Sequence, residues 1–122
     1  MPSQNEFPAV FENLKSILEP YTSKLTLKAN LDDNFYLEGA YSEKWKKELL
    51  FASAQVKKNY VSFYLMPVYM YPDLLKNISP ELKKHMQGKS CFNFKKVEKS
   101  LFDELNQLTK QGYERFMMEE YS

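Results

Sequence analysis

The sequence is poor in the residues that form disulfides or bind metal, with one cysteine, Cys91, and one histidine, His85. A single cysteine cannot form an internal disulfide, and a structural zinc site needs about four Cys or His ligands. The chain also lacks any apolar run near the roughly 18 residues that a membrane-spanning helix requires. Its first ten residues, "MPSQNEFPAV", contain neither a basic segment nor an apolar signal core, so we expect a cytoplasmic protein with no membrane partner.

Arginine is nearly absent as well, since Arg115 is the only one among 17 basic residues, and the net charge is only +1. A field this weak does not concentrate polyanions, and lysine lacks the planar fork that binds base edges and phosphates. We therefore expect no nucleic-acid partner.

Aromatic and apolar residues are abundant by comparison, with nine Tyr, nine Phe and 43% hydrophobic residues in a chain of 122. This composition is typical of a folded protein, and the length is sufficient for one core without disulfides. Because no repeat or low-complexity linker divides the chain, we predict a single domain over residues 1–122.

Hydrophobic periodicity predicts a helix at each end of the chain and strands between them. Apolar side chains recur every three or four positions over residues 7–18 and again from about Val97. The intervening segments alternate or are apolar throughout, which predicts strands at residues 24–31, 35–41, 48–56, 60–66 and 89–95.

Local signals define the boundaries of these elements. Pro67 marks the end of the fourth strand, Ser79 is the predicted N-cap of a short helix, and Gly88 is the predicted residue after that helix. The element order predicts an α+β two-layer sandwich. Its sheet is largely antiparallel with about five strands, and both terminal helices lie on one face.

The opposite face of the sheet is the candidate functional surface. The predicted alternation places apolar and aromatic side chains there, whereas a solvent-facing sheet normally carries clearly polar residues. We therefore predict that a second copy of the chain covers this face, as in a homodimer, or that it forms the wall of a small-molecule pocket. The candidate surface comprises Phe51, Ser53, Tyr64, Met66, Tyr69, Lys89, Cys91 and Asn93.

The stretch "HMQGKSCFNFKK" at residues 85–96 suggests two kinds of site, and neither is well supported. A phosphate loop needs a glycine five positions before its Gly-Lys pair, but Lys83 occupies that position. His85 and Cys91 lie on different predicted elements, with no third group to orient them as a base and a nucleophile. With no catalytic residues assignable, the leading interpretation is a non-catalytic binding module without a cofactor.

Surface carboxylates offer an alternative, because hard oxygen ligands can hold iron weakly. Glu12 and Glu19 lie on the first predicted helix, and Asp32 and Asp33 lie in the turn between the first two strands. Lysines are mixed among them, which favours a solvated helix face over a dedicated acidic ridge.

Two segments, "YVSFYLMPVYMYPDLL" and "ISPELKKHMQGKSCFNFKK", followed by an amphipathic helix, resemble the bacterial YdhG-like family of small domains of unknown function. The resemblance covers about residues 48–116, and the matching positions are Met66, Pro67, Tyr69, Pro80, Leu82, Gly88, Lys89, Cys91 and Phe94. It implies a frataxin-like sandwich and an iron-carrier role as the alternative function. The chain departs from frataxins because its first helix is not strongly acidic.

Overall fold

The computed structural model describes residues 6–43 and 45–120, except for the side chains of residues 40, 119 and 120. The helices are α1 (Phe7–Leu18), α2 (Met66–Met70), α3 (Pro80–Lys83) and α4 (Lys99–Glu120), with 3₁₀ segments at Glu19–Tyr21 and Pro72–Leu75. The predicted terminal helices are thus confirmed. Within the described ranges, none of the helices combines the length and apolar character that a bilayer crossing requires.

Six strands form one sheet in the order β1-β2-β3-β4-β6-β5, and each neighbouring pair is antiparallel. The strands are β1 (Thr26–Leu31), β2 (Asn34–Ser42), β3 (Lys47–Val56), β4 (Val61–Leu65), β5 (Met86–Gln87) and β6 (Cys91–Phe94). The α+β class and the largely antiparallel sheet are therefore confirmed. The two-residue strand β5 adds a sixth strand to the five that periodicity predicts.

Helices α1 and α4 pack on the same face of this sheet. Four strands contribute a row of paired side chains to that face, each at most 1% exposed: Phe35, Ala54, Phe63 and Phe92. The ring of Phe94 in β6 meets that of Phe102 in α4 at a centroid distance of 4.9 Å, and α1 contacts β3 and β4. Burial of these large apolar side chains is the main stabilising contribution to the fold.

A β-bulge in β3 overturns the prediction that Phe51 lies on the face opposite the helices. Leu37 pairs with Ala52 but Glu38 pairs with Leu50, so Phe51 is the extra residue. An extra residue shifts the side-chain alternation by one position. Phe51 is fully buried on the helix side, where its ring lies 5.5 Å from that of Phe116 in α4.

A second bulge, at Lys28 in β1, separates two leucines that the alternation places on one face. Leu27 pairs with Leu37, whose side chain is buried, whereas Leu31 pairs with Asn34. Leu31 is accordingly 60% exposed, and β1 is an exposed edge strand. A bulge on an edge strand disfavours pairing with other chains.

The strand β4 ends just before Pro67, as predicted, but its last residue is Leu65 rather than residue 66. Met66 is the first residue of α2 and Pro67 lies in its first turn, where a missing N–H costs no hydrogen bond. A Cβ atom on Gly112 of α4 would lie 3.1 Å from Cβ of Pro67. The absence of a side chain at Gly112 therefore allows α4 to hold α2 at close range.

The predictions for the short third helix are half right. Ser79 is its N-cap, with its Oγ accepting a hydrogen bond from the Leu82 N–H at 3.1 Å. Gly88 does have a positive φ of 77°, but it does not follow the helix. The helix is capped at Lys84, and Gly88 belongs to the turn between β5 and β6, where a left-handed residue is also favoured.

Candidate functional site

The open face, meaning the sheet face opposite α1 and α4, is built from two rows of paired side chains. One row crosses four strands through Tyr36, Ser53, Tyr64 and Cys91, and the other runs through Asn34, Gln55, Ser62 and Asn93. The small side chains of Ser53 and Ser62 are each 1% exposed, because larger half-buried neighbours surround them. The predicted residues Ser53, Tyr64, Cys91 and Asn93 therefore do lie together.

A hydrogen-bond network fixes the side chains at the centre of the open face. Ser62 donates from Oγ to Asn93 Oδ1 at 2.7 Å, and Cys91 donates from Sγ to the same oxygen at 3.2 Å. Asn93 in turn donates from Nδ2 to Gln87 Oε1 at 2.6 Å. These four side chains, Ser62, Gln87, Cys91 and Asn93, restrain one another and form a preorganised polar centre.

The protonation states of this centre oppose a nucleophilic role for Cys91. Burial raises the pKa of the Cys91 thiol, although hydrogen bonds with Ser62 and Tyr64 and the charge of Lys57 act in the opposite direction. Burial, with a smaller contribution from Cys91, also raises the pKa of the Tyr64 phenol. Both groups hold their protons at neutral pH, and a protonated thiol is a poor nucleophile.

His85 does not act as a base toward Cys91, because other groups engage both of its ring nitrogens. Nδ1 lies 2.8 Å from the carbonyl oxygen of Asn93, and Nε2 lies 3.1 Å from the Glu98 carboxylate. The ring also stacks on Phe94 at a centroid distance of 4.5 Å. These contacts tie the β5–β6 hairpin to the start of α4, which is a structural role.

The α2 groove lies at one end of the open face, between α2 and the connection from β2 to β3. Its volume is about 430 Å³. The lining includes the predicted residues Met66 and Tyr69 of α2, together with Tyr36 and Glu38 of β2, Trp45, and Glu48 of β3. Tyr69 is 54% exposed and Trp45 is 48% exposed, so large aromatic surfaces here contact solvent.

The chain segment that carries Trp45 is held by Ser42 at the end of β2. Ser42 is 1% exposed; its Oγ accepts a hydrogen bond from the Trp45 N–H at 3.3 Å, and its carbonyl oxygen accepts one from the Lys46 N–H at 2.7 Å. Lys46 has a φ of 60°, which costs a residue with a Cβ about 1 kcal/mol. These two hydrogen bonds fix the backbone at Trp45 and Lys46, which places Trp45 beside the groove.

Another groove, of about 490 Å³, includes Asn93 of the open face in its lining, together with Glu6, Tyr60, His85, Lys95, Lys96 and Glu98. Its imidazole is already bonded on both sides, and its lysines are accompanied by the carboxylates of Glu6 and Glu98. This groove offers neither a concentrated charge nor an exposed aromatic surface. Lys89, also predicted for the candidate surface, is exposed in the β5–β6 turn.

The four carboxylates of the iron alternative do not assemble into a site. Glu12 and Asp32 line one groove, but Lys15 shares it and lies 3.9 Å from the Glu12 carboxylate. Glu19 lies in the 3₁₀ segment after α1. Across the described part of the chain, no three His, Cys, Asp or Glu side chains form a group that could hold a metal ion.

Sequence reasoning misses Trp45 and Glu48, which line the α2 groove. It also misses Gln55 and Lys57, which are hydrogen-bonded to each other. Lys57 donates from Nζ to Gln55 Oε1 at 2.7 Å and lies 5.8 Å from the Tyr64 ring centroid. One signal was available in the sequence. The only tryptophan lies in the polar stretch "SEKWKK", where no core position explains it.

Comparison with known proteins identifies no relative: no protein-family model, no curated protein and no solved structure matches the chain.

Proposed function

We propose that this protein is a non-catalytic binding module that takes a small-molecule ligand in the α2 groove of its open face. The observation that carries the proposal is the convergence of Tyr36, Trp45, Met66 and Tyr69 on one groove. Its volume of about 430 Å³ lies within the range of roughly 300 to 1,000 Å³ typical of ligand pockets. Exposed aromatic and methionine side chains at such a site favour contact with a ligand over contact with water.

The side chains at the centre of the open face support binding rather than catalysis. Cys91 and Tyr64 hold their protons, and both nitrogens of His85 are engaged elsewhere. The groove itself contains the charged side chains of Glu38, Lys47 and Glu48 beside its aromatic wall. A few polar groups beside an apolar wall are what orients a ligand.

Trp45 gives a direct test, because it is the only tryptophan in the chain and lines the groove. We would screen a collection of small-molecule fragments by Trp45 fluorescence and confirm each hit by calorimetry. Binding of hits should be lost or strongly weakened by Tyr69→Ala. The control is Tyr41→Ala, since Tyr41 is similarly exposed at 50% but does not line the groove, and it should leave binding unchanged.

Two results would contradict the proposal. One is a set of hits whose affinity is lowered equally by both tyrosine variants. The other is a stable dimer whose interface protects the open face, because the same surface would then serve subunit contact rather than a ligand.

The frataxin-like, YdhG-like assignment and the cytoplasmic location stay predictions. The order of a helix, an antiparallel sheet and a long terminal helix supports the first of them. Fold resemblance by itself would not assign a function.

A further inference from the structure

We propose that the α2 groove selects an organic cation, specifically an alkylated ammonium group. This inference rests on the proposed function, because it names the ligand chemistry of the same groove. It comes from the combination of three aromatic rings with two carboxylates in one lining.

The aromatic rings supply the first part of the recognition. Tyr36, Trp45 and Tyr69 come from β2, the β2–β3 connection and α2, so they border the groove from three elements. The faces of aromatic rings carry negative electrostatic potential, and tryptophan attracts cations best. Two of the three rings are about half exposed, which leaves surface for a ligand to contact.

The carboxylates supply the second part. Among the described residues of the lining, Glu38 and Glu48 are acidic and Lys47 is the one basic residue, so these residues carry a net charge of −1. The chain as a whole carries +1, which is of opposite sign. Burial, followed by the Glu38 charge, raises the pKa of the Tyr36 phenol, which is consistent with a negative potential beside that ring.

One lysine outside the lining competes for Glu38 without closing the groove. Lys28 Nζ lies 3.6 Å from the Glu38 carboxylate; the Lys28 side chain is 51% exposed and the Glu38 side chain is 17% exposed. The separation is long and the lysine is largely solvated, so this ion pair is weak. A ligand cation can therefore share Glu38 with Lys28.

The apolar part of the lining distinguishes an alkylated ammonium from a bare one or from a metal ion. Met66, Met70 and Leu50 line the groove and offer dispersion contacts to methyl groups. A primary ammonium is strongly hydrated and needs several acceptors to replace its water. A metal ion needs a ligand group that the described residues do not provide.

Comparing the affinities of choline and its neutral isostere 3,3-dimethylbutan-1-ol distinguishes the contribution of charge from that of shape. We would titrate each against the whole chain, with Trp45 fluorescence and calorimetry as readouts. Choline should bind at least roughly tenfold more tightly than the isostere, because only the cation interacts with the ring faces and carboxylates. Added salt should weaken choline binding and leave the isostere unaffected.

Variants locate the effect in the groove. Glu48→Gln should weaken choline several-fold and leave the isostere unchanged, whereas the matched control Glu12→Gln, on α1, should change neither. Equal affinity for choline and the isostere would overturn the cation inference while the proposed function stands as an apolar binding site. Failure of both probes to bind would also overturn the cation inference. The fragment screen would then test separately whether the groove binds any small molecule.

Discussion

Removing the half-buried carboxylate of Glu104 in α4 should destabilise the fold. Glu104 joins α4 to α3 by accepting two hydrogen bonds from Ser79, the N-cap of α3. Ser79 donates from its backbone N–H to Glu104 Oε2 at 2.6 Å and from Oγ to Oε1 at 2.6 Å. The same Oγ accepts from the Leu82 N–H, so the carboxylate orients the cap of α3 as well.

The magnitude follows from these two short, charge-assisted hydrogen bonds. A hydrogen bond to a charged group contributes roughly 1.5 to 3 kcal/mol, and a partly exposed site falls toward the lower end of that range. Water can replace part of the pair, because Glu104 is only half-buried. We therefore expect Glu104→Ala to lower the free energy of unfolding by about 2 kcal/mol, equivalent to about 8 °C in Tm for a domain of this size.

Urea unfolding of the wild type and variants gives this free energy directly. The control is Asp103→Ala, which removes an exposed carboxylate from the adjacent position of the same helix and should cost no more than about 0.5 kcal/mol. A double-mutant cycle with Ser79→Ala should show a coupling energy near 1 to 2 kcal/mol. Equal effects of the two α4 variants, or a coupling energy near zero, would show that the Ser79–Glu104 hydrogen bonds do not stabilise the fold.

Other substitutions test the packing and the groove. Thr109→Val should stabilise the fold by about 1 kcal/mol in urea unfolding, because the Thr109 hydroxyl is buried without a hydrogen-bond partner. Gly112→Val should cost about 2 kcal/mol and weaken ligand binding in the groove, because its Cβ would lie 3.1 Å from Pro67 and displace α2. Cys91 should react with iodoacetamide more slowly at pH 7 in the folded than in the urea-unfolded chain, as measured by mass spectrometry.

The raised pKa of the Cys91 thiol also fixes the sign of one pH effect. The folded chain holds this proton above the ordinary pKa of 9.0, at which the unfolded chain releases it. Its contribution to stability is therefore complete below pH 9.0 and is lost as the pH rises through the raised value. Thermal unfolding from pH 8 to pH 11 should show a smaller alkaline loss for Cys91→Ala, and an identical loss would contradict the assignment.

Local signals in the sequence are sufficient to predict most helices and strands of this fold. The proline at position 67 ends β4, Ser79 caps α3, and the alternation in β4 and β6 correctly places Tyr64, Cys91 and Asn93 on the open face. Those strands pair without a bulge, so a period of two holds along their length. Phe51 is misplaced because its bulge is set by pairing between β2 and β3, which periodicity within one strand does not reveal.

The groove is harder to predict because it is a tertiary feature. Trp45 and Tyr69 are 24 residues apart by 69 − 45, and neither lies in a strand whose alternation would give its direction. They line the same groove because Pro67 packs against Gly112, which positions α2, and because Ser42 Oγ accepts a hydrogen bond from the Trp45 N–H. Such contacts depend on the packed fold rather than on local patterns.

A map of backbone amide chemical shifts during titration with choline and the fragment hits would show where ligands bind. We expect the shifts to concentrate at Tyr36, Trp45, Glu48 and Tyr69 and to leave the α1 and α4 layer unchanged. Shifts confined to the helix layer, or concentration-dependent shifts across Tyr64 and Asn93 without any ligand, would contradict this expectation. The second pattern would identify the open face as a contact between two copies of the chain.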